Sequence, residues 1–250
     1  MMSAMSVVMD SILRFQALLK KPIVAIDPGP RRCGISSLAP CEIGGLYLNY
    51  TRQEPLLSIF DREKADKINA RTMTDIETAS VAANFVRQIS EDIGPCEVYL
   101  ENQPPAAVTG KSGRTTRTLS LAFISAFTTQ GWPVTMKTVK TYKERTFGII
   151  VYPKDNWSNK RQSTNFIRQL CDRYPILLVG DELKIEADIC DSLILLFSRV
   201  IELVALLPIC QLIDPQKPLQ VLEAGLLLIQ LSHQTRSAQP WDEKEILLNL

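Results

Sequence analysis

Short apolar runs closed by turn residues alternate along the chain with longer stretches of helical periodicity. PIVAIDPG (22–29) is a continuous apolar run that stops at an aspartate, a proline and a glycine, the pattern of a buried strand reaching a turn. GISSLAP (34–40) and GLYLNYTRQ (45–53), the latter entered through Gly44-Gly45, follow after short connections. Connections this short predict an antiparallel meander. Residues 62–92 form helix, with Ile76, Ala79, Ala83 and Val86 along one face. CEVYLENQ (96–103) is a fourth strand, again apolar and again ending in an acid. PPAAVTGKSGRTTR (104–117) reads as a loop, LSLAFISAF (119–127) as helix and PVTMKTV (133–139) as a fifth strand.

NKRQSTNFIRQLCDRY (159–174) is a basic amphipathic helix, and EADICDSLILLFSRVIELVALL (186–207) is a core helix with acids in its first turn, where the helix dipole favours them. Two further helical patches follow Pro208. At the other end, Met5, Met9, Ile12, Phe15 and Leu19 recur at helical spacing. Both terminal helices are expected to finish the core or to cover a dimer interface. The fold class is α/β: a five-stranded mixed sheet, three antiparallel strands then two more, flanked by helices.

Composition narrows the class. With 46% hydrophobic residues in 250, the chain can bury a sizeable core. The apolar run 192–209 contains Arg199 and Glu202, so no membrane span is expected. The opening residues lack a charged leader and a cleavage site, so no secretory signal is expected, and a transit-peptide reading has only Arg14, Lys20 and Lys21 behind it. Six cysteines without a CxxC pair, beside the single His233, assemble no zinc spacing. They read as reduced thiols in an intracellular, reducing compartment; the sequence does not choose among mitochondrial, nuclear and viral-factory locations.

Net charge is +1, unevenly spread: residues 101–173 carry 12 Lys/Arg against 4 Asp/Glu, and residues 174–250 carry 5 against 11. The middle attracts a polyanion. Lys111, Arg114 and Arg117 follow the Glu101 strand closely, and Lys140, Lys143, Lys160 and Arg161 continue the basic segment. Such side chains contact phosphates, which position a nucleic acid without reading its bases. Tyr142, flanked by Lys140 and Lys143, either stacks on a base or fills the core, and Trp157 carries the same ambiguity.

The carboxylates are the other half of the picture. Asp27 and Glu101 each end a strand; Asp188 and Asp191, three apart, share one face at the start of a helix. If the strands are neighbours and the helix begins near their ends, four negative charges converge, which is repulsive unless hard cations hold them. Magnesium prefers oxygen ligands, and two such ions form a clamp for in-line attack on a phosphodiester. Singly, Asp27 reads most often as a turn residue, Glu101 equally as an exposed strand end, and Asp188 and Asp191 equally as first-turn dipole acids; the ordered set is what carries weight. TGKS (109–112) is not a phosphate-binding loop, because the glycine required five residues before Gly110 is Pro105.

The ordered set resembles the RuvC-type Holliday junction resolvases of the ribonuclease H-like superfamily, closest to the fungal mitochondrial and poxvirus branch. IDPGPRRCGIS (26–36), YLENQ (99–103), EADICDSLILL (186–196) and the basic NKRQSTNFIRQL (159–170) carry the likeness. It spans a nuclease domain over 22–207, leaving an N-terminal helix (1–21) and a C-terminal helical extension (208–250). The resemblance implies a ribonuclease H-like fold, with Asp27, Glu101, Asp188 and Asp191 as catalytic metal ligands for two Mg2+ ions, Mn2+ being a possible substitute. It also implies a homodimer that makes paired nicks in a four-way DNA junction, leaving 5′-phosphate and 3′-hydroxyl ends. One position departs from the bacterial pattern: the aromatic that helps open the junction just after the glutamate is replaced by Pro104-Pro105. Two alternatives stay open, a non-catalytic branched-DNA binder on the same fold and an actin-like ATPase or kinase fragment.

Overall fold

Strand β1 (Ile23–Asp27) is buried along its first four residues, as a strand between two helical layers must be. The computed structural model describes residues 3–30, 32–40, 46–53, 55, 73–102, 106–149, 156–174 and 186–234. β1 pairs antiparallel with β2 (Cys33–Pro40), which pairs antiparallel with β3 (Leu46–Gln53). On its other side β1 runs parallel to β4 (Glu97–Asn102), itself parallel to β5 (Val134–Thr138). The sheet order is β3-β2-β1-β4-β5, the five-stranded mixed sheet expected from the sequence.

The two-residue period of a strand sorts the side chains onto two faces. Ile23 and Ala25 of β1, Leu38 of β2 and Tyr99 of β4 join one hydrophobic cluster. That cluster is shared with α1 (Ala4–Leu18), α4 (Asn156–Arg173), α5 (Ala187–Val204) and α6 (Pro218–Gln234). Val24, Ile26, Ile35, Val98 and Leu100 point the other way, onto α2 (Asp75–Asp92) and α3 (Ala106–Thr129), where Phe85 and Phe123 stack at 4.7 Å. By the same alternation, Asp27 and Glu101 fall on the α5 face of the sheet.

Both terminal helices lie in the main core. Val8, Ile12 and Phe15 of α1 are buried there, as are Leu222, Leu226 and Ile229 of α6. Two buried serines lock them in place. Ser11 Oγ accepts from the Ile209 backbone N–H at 2.9 Å, and Ser232 Oγ accepts from Leu46 N–H at 2.9 Å. Among the described residues no helix is long and apolar enough to cross a membrane, and the five described cysteines are free thiols.

Two expectations are corrected. Residues 104–117 are not all loop: α3 begins at Ala106, directly after Pro104-Pro105, and runs through Gly110 and Gly113. Prolines and glycines read as loop punctuation are also tolerated at a helix entrance and, at a cost, inside one. The helix expected over 62–92 begins only at Asp75: Met73 and Thr74 are not helical, Thr74 and Glu77 forming a reciprocal capping box at its start, and residues 62–72 lie outside the described residues. Its buried face is Thr78, Val81, Ala82, Phe85, Val86 and Ile89, whereas Ile76 is 81% exposed. The bulky side chains at four-residue spacing chose the face, not the alanines.

One glycine sets how closely α5 approaches the sheet. Gly34 pairs with Asp27 across β1 and β2, and a Cβ there would sit 1.9 Å from the Asp188 carbonyl oxygen. Nearby, Ser36 and Ser192 share a buried hydrogen bond of 2.7 Å, pinning α5 to β2. Gly34→Ala is therefore expected to push the start of α5 off the sheet and cost about 2–4 kcal/mol in urea unfolding. Gly131→Ala meets open space at φ +74° and is expected to cost about 1 kcal/mol through backbone strain alone. Equal losses for the two variants would argue against the close-packing role of Gly34.

Candidate active site

Asp27 ends β1, and Glu101 stands at the same end of its parallel neighbour β4, one residue beyond the Ile26–Leu100 pair. The carboxyl ends of parallel strands are where α/β sheets place their ligands. Asp188 lies in the first turn of α5 and Asp191 one turn further, on the helix that Gly34 admits against β2. Glu101 and Asp191 are buried, and Asp27 is partly so. Burial holds the Asp27 carboxyl well above its ordinary 3.8, followed by the negative charges of Glu101 and Asp191; Lys143 opposes them, and Asp188 adds to the rise. The four acids predicted from the sequence are thus brought within electrostatic reach of one another.

Each of the other three has a partner from the same chain. The Tyr142 hydroxyl donates to Glu101 Oε2. Lys143 Nζ lies 2.6 Å from Asp191 Oδ1, and Lys160 Nζ donates to Asp188 Oδ1 at 3.0 Å. Burial disfavours the charged form of Lys143, but the carboxylates of Asp191, Glu101 and Asp27 outweigh it, and its ammonium is held above the usual lysine value. Lys160 is shifted the same way, burial again working against Asp188. Burial, then the surrounding carboxylates, also raise the Tyr142 hydroxyl, so it serves as a donor and not as a phenolate.

The segment supplying Tyr142 and Lys143 is a π-helical turn, Lys140–Arg145, that follows β5. Lys140, Thr141, Glu144 and Arg145 are exposed while the two middle residues are both buried. Inserted π turns recur at functional sites because they re-aim adjacent side chains. Gly148, at φ +70°, then turns the chain away. The sequence named Tyr142 as a stacking or core residue and Lys143 as a phosphate contact. The structure bears out the core reading of Tyr142, whose ring is fully buried while its hydroxyl reaches Glu101, and places Lys143 among the carboxylates instead of at the surface. Nothing in a 3.6-residue period signals this.

Of the remaining basic residues only Lys160 has a described contact with one of the acids. Arg117 on α3, Lys140, and Lys160 and Arg161 on α4 are exposed. Lys111 and Arg114 lie on the first turns of α3, whose side chains, like that of Trp157, are outside the described residues. A second polar network braces the far half of α5. Lys137 bonds Glu202 and lies 5.2 Å from the Tyr99 ring centroid, Arg199 sits 3.6 Å from Glu97, and the Tyr99 hydroxyl donates to Glu97 at 3.0 Å.

The four acids offer only oxygen donors, and they outnumber the two lysines paired with them, a chemistry that suits a hard divalent cation. As the side chains stand, no group of three or more His, Cys, Asp or Glu among the described residues is arranged to hold an ion; Asp191 and Asp188 face their lysines instead. Because Asp27 binds its proton more tightly folded than unfolded, it lowers stability as pH rises from 3.8 through the raised folded value. In chelator, Asp27→Asn is expected to flatten that slope and to raise the Tm near neutral pH by roughly 2–5 °C. Melts of both proteins at acidic and neutral pH check this; a lower Tm for the variant at neutral pH would contradict it.

No protein-family model matches the chain, and no curated protein matches it. Solved structures do. The yeast mitochondrial Holliday junction resolvase Ydc2 is similar over 74% of this chain and 82% of its own, at 11% identity and a TM-score of 0.46. RuvC of T. thermophilus, in complex with Holliday junction substrate, matches over 70% of this chain and 89% of its own at 13% identity, TM-score 0.44. A further Thermus thermophilus RuvC structure matches over 70% and 90% at 15% identity, TM-score 0.42.

Proposed function

We propose that this protein is a magnesium-dependent, structure-selective DNA endonuclease that resolves four-way junctions as a homodimer in a reducing compartment. The observation that carries the reading is the convergence of Asp27, Glu101, Asp188 and Asp191 at the carboxyl ends of two parallel strands and the start of α5. Asp27, Glu101, Asp188 and Asp191 would hold two Mg2+ ions, which supply an activated water and neutralise charge at the scissile phosphate when bound.

The chain's own residues set the rest. Tyr142 orients Glu101 through its donated hydrogen bond. Lys140, Lys160 and Arg161, exposed beside the cluster, provide phosphate contacts that hold a DNA arm without reading its sequence. Arg117, exposed on the helix that follows the Glu101 strand, adds a further phosphate contact in this reading. Two copies related by a two-fold axis present two such sites, the symmetry that paired nicks on opposing strands require.

A second reading has one observation in its favour. Lys143 and Lys160 already neutralise Asp191 and Asp188, so the cluster is also compatible with a branched-DNA binder that performs no cleavage. Labelled four-way junction and matched duplex, each with Mg2+ or chelator, separate the two. Wild type is expected to nick opposing junction strands in pairs, and Asp27→Asn and Asp188→Asn to lose roughly 10³-fold in rate while still binding junction. Tight junction binding without cleavage in Mg2+ or Mn2+ would leave the binder. No preference for the junction would overturn both.

A further inference from the structure

Lys143 is an unusual residue to find at 2% side-chain exposure. Lysine is almost never fully buried unless paired, and its pairing here comes among three of the acids: 2.6 Å to Asp191, with Glu101 and Asp27 near enough to act on its charge. It reaches that position through a π-helical turn that also buries Tyr142, whose ring centroid lies 5.7 Å from the ammonium and whose hydroxyl is committed to Glu101. Lys160 offers the contrast. Its pair with Asp188 is 3.0 Å long, but its side chain is 60% exposed, so water screens the pair.

These two cations do different work. A solvent-exposed ion pair is weak and screened by salt. A buried one cannot lose a partner without leaving an uncompensated charge in the interior. Lysine also suits a place that a metal ion competes for. It is a compact point charge on a flexible four-carbon stem, whereas arginine would fix a planar fork onto the carboxylate.

We propose that Lys143 is the built-in counter-ion of the carboxylate cluster: it holds Asp191 while no cation is bound, keeps the cation-free protein folded, and competes with a divalent ion for that carboxylate. It is a positioning residue, acting on the cation through Asp191. The inference rests on the reading that the four acids bind a divalent cation. It adds that the chain carries its own occupant for part of that site.

The test is a Mn2+ titration of the full-length, chelator-stripped protein, reading free Mn2+ by electron paramagnetic resonance, with thermal melts in the same buffers. Wild type, Lys143→Met, Lys143→Arg and Lys160→Met are compared at low and at 0.5 M salt. For Lys143→Met, the Kd for Mn2+ is expected to fall roughly tenfold, since an opposing charge this close shifts ionic equilibria by a factor of ten or more. Its Tm in chelator is expected to drop and its Mn2+-induced rise to exceed that of wild type, at both salt concentrations. Lys143→Arg, which keeps the charge, is expected to bind Mn2+ no more tightly than wild type. Any gain in Lys160→Met is expected to fade at high salt.

A Lys143→Met protein that folds only with Mn2+ would support exchange of one cation for the other. A variant that stays unfolded with saturating Mn2+ would overturn it, because the metal should replace the lost charge. Unchanged or weaker Mn2+ binding by a folded Lys143→Met would overturn this inference and leave the metal-site reading standing. If neither wild type nor variant binds Mn2+, both fall.

Discussion

Bringing carboxylates together inside a protein is opposed by two costs at once, desolvation and mutual repulsion, and much of this fold is arranged around meeting them. Asp27 shows both, its proton held by burial first and by the neighbouring acids next. Positive charge has to come from somewhere. In this chain part of it comes from within, through Lys143 at the centre of the cluster and Lys160 at its rim. The remainder is a deficit that a divalent cation would fill. A site of this kind sits uneasily with maximal stability: its acids are placed for what they can bind, and the rest of the molecule supports them.

That support is extensive. The α5 helix carries two of the acids and has more of its residues buried than any other described helix; α1, α4 and α6 share its hydrophobic core. Its approach to β2 is set by the missing side chain of Gly34 and fastened by the Ser36–Ser192 bond. Its far half is braced by Lys137, Arg199 and Glu202 against β4 and β5. The first turn is therefore the end of a long rigid lever, and small shifts in packing along α5 would be felt at Asp188 and Asp191. Terminal helices that the sequence left as either core or interface belong to this same framework.

Much of this is legible in the amino-acid sequence alone. Strands read from β-patterned apolar runs appear within a residue or two of their expected bounds, and the mixed sheet follows from short early connections and longer later ones. The acids stood out because Asp27 and Glu101 close apolar runs and Asp188 and Asp191 open one, positions at which an apolar pattern makes a charge conspicuous. Other features gave no such signal. Lys143 sits in a stretch of alternating basic and polar residues, where every prior favours a solvated face. Only the wider π-helical turn brings it inside. The residues after Pro105 misled for the opposite reason: glycine, serine and threonine mark loops statistically, yet a helix that continues into a strongly apolar segment tolerates them.

The same π turn has a consequence for how this protein can change over time. A helical segment that accommodates one extra residue per turn is a single deletion away from regular geometry. A descendant that lost Thr141 would keep a helical turn, Lys143 and all four acids. What it would lose is phase. The ammonium now buried against Asp191 would rotate toward water, and the carboxylates would depend wholly on cations drawn from outside.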